Sequence, residues 1–179
     1  MRRRADEKMV PDCVVPTMKH GGGSIMVWGC FSGHGTGDLV RIQGIMKKEQ
    51  YKLILEKNAV PSELRLIGNG FIFQQDNDPK HSSKLCRGYL DQKETDGVLK
   101  NMTWPPQSPD LNPIELLWEE LDRKVRDECL SSQEDLWRIL QHSWKNISTE
   151  TINKLIARMP RLVKKVIKCK GGFFDEKSV

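Results

Sequence analysis

The chain has 179 residues, 37% hydrophobic and 30% charged, with a net charge of +5 and a pI of about 9.0. That is enough for one globular domain burying roughly 70% of its unfolded surface, and the positive balance suits a polyanionic partner. Five irregularly spaced cysteines with no Cys-x-x-Cys indicate neither a zinc site nor a disulfide framework, and no signal peptide or apolar run of the ~20 residues a membrane helix needs is present.

Met1–Lys8 is polar and mixed in charge, and reads as a terminus or one arm of a hairpin. Cys13–Val15 predicts a short strand, and Pro16–Gly23 a turn-rich connection. Ile25–Phe31 is almost continuously apolar, as a strand buried on both faces would be. Ser32–Gly37 turns the chain, and Asp38–Ile42 returns it as the hairpin partner. Lys47–Asn58 is helical, with Tyr51, Leu53, Ile54 and Leu55 on its apolar side and Pro61 as its stop. Phe71–His81 reads as a short strand ending in a turn. Ser83–Lys93 is a helix with Leu85, Cys86, Tyr89 and Leu90 inward, ended by Gly97. Val98–Met102 is a further strand.

From Pro113 to near Cys129, Ile114, Leu117, Trp118, Leu121 and Val125 recur at helical spacing. Pro113 suits a first helical position, with Asn112 as cap. Ser131 or Ser132 opens another helix to about Asn146, burying Leu136, Trp137, Leu140 and Trp144. Thr149–Met159 is helical, and Pro160 opens one more helix to Lys170. With no repeat and no linker, residues 1–179 read as a single α/β domain with a helical C-terminal third.

Two carboxylates stand out. Asp76 lies at the C-terminal end of the Phe71 strand, where α/β folds place their sites. Glu115 lies in the first turn of the Pro113 helix. Converging acids are what a magnesium site for phosphoryl transfer needs. Each has a plainer reading. Asp76 fits an Asx turn, and Glu115 with Asn112 spells a capping box. His81, five residues beyond Asp76, reads as a turn-packing histidine or as a group near the substrate. Lys154, Arg158, Arg161, Lys164, Lys165, Lys168 and Lys170 give the terminal helices a basic side, with no acid between Thr151 and Lys170. That side is either solvated or a surface for phosphates, which such contacts bind without reading sequence.

Three segments, Lys19–Phe31, Gln75–His81 and Ser108–Glu115, resemble in order the signature segments of the Tc/mariner superfamily of cut-and-paste DNA transposases. The resemblance runs nearly the whole chain. It implies a ribonuclease-H-like mixed sheet flanked by helices, acting on DNA with magnesium (manganese as substitute) held by an Asp, Asp, Glu/Asp triad. Asp76 matches the second member and Glu115 the third, so both are catalytic and metal-ligating candidates. Lys80, His81, Lys164, Lys165 and Lys168 are substrate-binding candidates. The family's first Asp lies on a first strand, in a segment like Ser-Asp-Glu-Ser upstream of a basic hairpin that Met1–Arg4 already matches. That strand and the N-terminal helix-turn-helix region are therefore expected to be absent, and Asp6, Asp12 and Asp38 are not substitutes. The Phe71 strand would then show an open edge. The resemblance further implies work in the nucleus and a homo-oligomer in an intact relative. A chain lacking the first Asp is expected to be inactive alone; the alternative is a catalytically dead, transposon-derived module that binds nucleic acid or protein.

Overall fold

The computed structural model describes residues 17–20, 23–105, 108, 111–126, 128 and 130–170. The expected strand Cys13–Val15, Asp6 and Asp12 lie outside them. Strands β1 (Thr17–His20), β2 (Gly23–Ser32) and β3 (Gly35–Ile42) form one antiparallel sheet in the order β1-β2-β3. The connection expected at Pro16–Gly23 is thus partly strand, with Thr17 opposite Met26 and His20 opposite Gly23. β2 is buried on both faces, as its unbroken apolar run requires: Ile25 and Val27 pack to one side, Trp28 and Cys30 to the other.

Helix α1 (Lys48–Ile54) runs through a π-helical stretch, Leu55–Ala59, into α2 (Val60–Leu66). Pro61 therefore does not end the helix. The Val60 N–H reaches back to the Leu55 carbonyl, a widened turn just ahead of Pro61. That turn relieves the clash a proline ring makes with the carbonyl four residues back, and Pro61, in the first turn of α2, needs no N–H. β4 (Phe71–Phe73) pairs in parallel with β5 (Leu99–Asn101). Between them runs α3 (Lys84–Thr95), capped by the Ser83 hydroxyl and ended by Gly97 at φ +72°. Cys86 and Leu90 face inward as expected, whereas Leu85 is exposed.

The C-terminal third is α4 (Pro113–Arg126), α5 (Gln133–Lys145, capped by Ser132) and α6 (Thr149–Lys168). Pro160 lies inside α6 rather than opening a new helix. The lost backbone bond is tolerated because Ile152 and Leu162, on either side of it, are both fully buried and hold the helix across the gap.

Helices α1, α2 and α3 share one core with the Trp28 face of β2, and α4, α5 and α6 share a second with the Val27 face. Among the described residues no strand joins the two sheets. Instead a groove of about 680 Å³ separates them, lined by six consecutive residues of β2 and its turn, Trp28–Gly33, and by Ile72–Asp76 at the β4 end. Consecutive residues of one strand line a groove when its edge, not one face, is open. Ile67, Ile72, Met102, Ile156 and Val163, all exposed large apolar side chains, also line it. The open edge expected at the Phe71 strand is therefore present among the described residues.

Candidate active site

Asp76 follows β4 by three residues, and its neighbours Gln74, Gln75 and Asn77 are each tied to a different part of the chain. Gln74 Nε2 donates to Asn112 Oδ1 at 3.1 Å, linking β4 to the start of α4. The Tyr51 hydroxyl of α1 donates to Gln75 Oε1 at 2.7 Å. Asp76 Oδ1 accepts the Asp78 N–H at 3.2 Å and meets His81 Nδ1 at 2.5 Å. An ionised carboxylate only accepts, so with Asp76 charged the shared proton sits on Nδ1. Asn77 Nδ2 donates to the Trp104 carbonyl at 2.8 Å. The Asx-turn reading of Asp76 is thus correct for Oδ1. Its second oxygen has no partner among the described residues.

His81 is 3% exposed, with its ring against Tyr51 at a centroid distance of 3.9 Å. The structure places it behind Asp76 rather than at an open surface, and its Nε2 is buried without a hydrogen-bond partner. Tyr51 is fully buried, and burial, helped by the Asp76 charge, pushes its hydroxyl well above the usual tyrosine range.

Glu115 sits in the first turn of α4, half-buried. The capping box predicted from Asn112 and Glu115 does not form. The Asn112 side-chain oxygen goes to Gln74, and the Glu115 N–H bonds the Asn112 backbone carbonyl at 3.1 Å. The Glu115 carboxylate has no hydrogen bond or ion pair among the described residues. Burial first, then the negative charges of Asp76 and Glu119, raise its pKa above the ordinary carboxylate value. Asp76 and Glu115 therefore come close enough to repel each other, and no described cation compensates Glu115.

That donor set fits a hard divalent cation, which takes carboxylate oxygens and relieves like-charge repulsion. Among the described residues, no group of three or more Asp, Glu, His or Cys side chains is placed to hold a metal. Asp38 is occupied elsewhere, by Arg65 at 3.0 Å and Asn58 at 3.1 Å. Lys80 pairs with Asp78 at 3.1 Å. Lys164, Lys165 and Lys168 lie in the last two turns of α6, the first and third exposed and Lys165 half-buried. Sequence reasoning missed Gln74, Gln75 and Tyr51. The available signal was a run of four polar residues, Gln74–Asn77, directly after a three-residue strand.

A family model described as DDE superfamily endonuclease matches residues 11–137. The chain belongs to that family. Among the curated relatives it matches, it is 44% identical over 171 residues to the Tc1 transposase of Caenorhabditis elegans, which covers 96% of this chain and 61% of the relative. It is 41% identical, with the same coverage, to the Tcb1 transposase of Caenorhabditis briggsae. The chain thus spans about three-fifths of these relatives' length. The fold matches the catalytic domain of Mos1 mariner transposase with a TM-score of 0.74 at 16% identity, over 90% of this chain and 81% of that one. A Mos1 paired-end complex with Mn matches with a TM-score of 0.76 at 17% identity, over 97% of this chain and 51% of that one. The expected mixed α/β, ribonuclease-H-like fold is the observed one.

Proposed function

We propose that this chain is the catalytic region of a Tc/mariner-type DNA transposase, in which Asp76 and Glu115 hold magnesium, or manganese in its place, for phosphoryl transfer on DNA in the nucleus. The observation that carries this reading is the pair of converging carboxylates, with one oxygen of Asp76 and both of Glu115 unpartnered among the described residues. A divalent cation bound there supplies charge stabilisation to a phosphate and lowers the pKa of a bound water or hydroxyl. The chain's own residues do the positioning. His81 and the Asp78 N–H hold one oxygen of Asp76 and leave the other without a partner among the described residues. The start of α4 holds Glu115 opposite, unneutralised. The exposed lysines of α6 offer contacts to duplex phosphates. Mos1 structures in complex with Mg, with Mn and as paired ends support a divalent cation, DNA and a homo-oligomer for the whole enzyme.

Two acids hold one ion, and a two-metal site asks for both ions to be caged about 3.5–4 Å apart. The lack of a described three-ligand group therefore favours no cutting by this chain alone, and it is the one observation that favours the second reading, a module that binds without cutting. Supercoiled plasmid with magnesium or manganese tests this. The parent chain, Asp76→Ala and Glu115→Ala are expected to leave it intact. Nicking by the parent that both substitutions abolish would contradict inactivity and assign a third acid, Asp78 or Glu119, to the site.

A further inference from the structure

Asp76 and Glu115 stand on different elements, the exit of β4 and the first turn of α4, 39 positions apart in sequence. Neither element can set their separation alone. The tie nearest to both is the bond from Gln74 Nε2 to Asn112 Oδ1 at 3.1 Å, two residues before Asp76 and three before Glu115. It is sheltered, with Asn112 only 8% exposed. A different tie, Asn77 Nδ2 to the Trp104 carbonyl, holds the β4 exit to the stretch that follows β5.

The bond replaces a local one. An Asn ahead of a helix ordinarily turns its side-chain oxygen onto the free N–H groups of the first turn. The other described helix starts with a polar cap do this: Ser83, Ser132 and Ser148 each accept from the N–H three residues on. Asn112 instead directs its oxygen across the site. The same choice leaves Glu115 outside a capping box, so its carboxylate stays unengaged. Departures from the locally favoured arrangement concentrate where function sets the geometry.

We infer that Gln74 and Asn112 are positioning residues for the carboxylate pair: their amide–amide bond sets the spacing of Asp76 and Glu115 and thereby the affinity for a divalent cation, a role that rests on the cation site proposed above. Asp76 and Glu115, not these two amides, would hold the ion. Outer groups of this kind typically change metal affinity by 10–100-fold when removed.

The test is Mn²⁺ binding to the full 179-residue chain, followed by electron paramagnetic resonance of the free ion, with a thermal midpoint recorded for every variant. Gln74→Met keeps length and bulk but loses the amide. Asn112→Ala removes the acceptor. The double variant and the exchange, Gln74→Asn with Asn112→Gln, complete the set. Each single variant is expected to bind Mn²⁺ about tenfold more weakly or worse. The double variant should be no weaker than either single one, and the exchange should recover most of the affinity. A merely stabilising bond would lower the midpoint and leave affinity alone, so affinity within twofold of the parent in folded Gln74→Met and Asn112→Ala overturns the inference. Should a single variant fail to fold, the exchange decides, and affinity no better than the double variant's overturns it. Asp76→Ala and Glu115→Ala run alongside. A parent that binds no Mn²⁺, or binding that survives both, removes the cation site itself and the inference with it.

Discussion

Glu115 and Glu63 both sit in the first turns of helices, and burial raises the pKa of each. Glu115 was readable from sequence in two ways, and only the direction of the Asn112 side chain separates them, a feature set by Gln74 from 38 residues earlier. Glu63 gave no signal, because a Glu in an amphipathic helix reads as solvated. Its burial comes from α2 packing onto β2 and β3: it is 5% exposed, with the Cys30 thiol of β2 beside it. Burial raises its pKa above the ordinary 4.5, against the lowering effects of Cys30 and Arg65. Above 4.5 the folded chain therefore holds this proton more tightly than the unfolded one. Its contribution to stability is fully present below that pH and is lost as pH rises through the raised value. Glu63→Gln keeps the size of the side chain and removes the titration. Urea midpoints between pH 4 and pH 8 should fall with pH less steeply in Glu63→Gln than in the parent; parallel pH profiles would refute this.

At the scale of elements, the second core is built around a missing side chain. A Cβ at Gly29 would stand 2.9 Å from the Trp118 indole and 3.0 Å from that of Trp144. Those two rings stack with centroids 5.1 Å apart, and Trp144 Nε1 donates to the Gly37 carbonyl at 2.8 Å. Gly29 on β2 thus lets α4 and α5 close onto the sheet, which also fixes where α4 presents Glu115. Gly29→Ala should cost about 1–3 kcal/mol of unfolding free energy by overpacking. Chemical denaturation reads this directly, and an unchanged midpoint would mean that the rings move aside freely. The helices were legible from their apolar spacing, and so was the doubly buried β2. Their ends were less so at prolines. Pro61 and Pro160 are local stop signals, but a widened turn absorbs the first and burial on both sides of the second carries α6 through. Packing of that kind has no local signature.

For the whole molecule, the pairing of two sheets across an apolar groove was legible only through the family resemblance, because edge pairing depends on register and not on composition. The charge distribution was legible directly. If the lysines of α6 meet phosphate, binding to duplex DNA should be weak, independent of sequence and steeply salt-dependent. Reversing Lys164, Lys165 and Lys168 together should weaken it and lower the salt slope by about 0.9 for each phosphate no longer neutralised. Unchanged affinity at low salt would make that helix face a solvated one. The central claim is that Asp76 and Glu115, brought together from β4 and α4, share one divalent cation. Anomalous diffraction from crystals of the chain grown with Mn²⁺ tests it most directly. The expected result is a single manganese peak within coordinating distance of the second oxygen of Asp76 and the carboxylate of Glu115, lost in Asp76→Ala; manganese bound elsewhere, or no peak between these two side chains at saturating Mn²⁺, would contradict it.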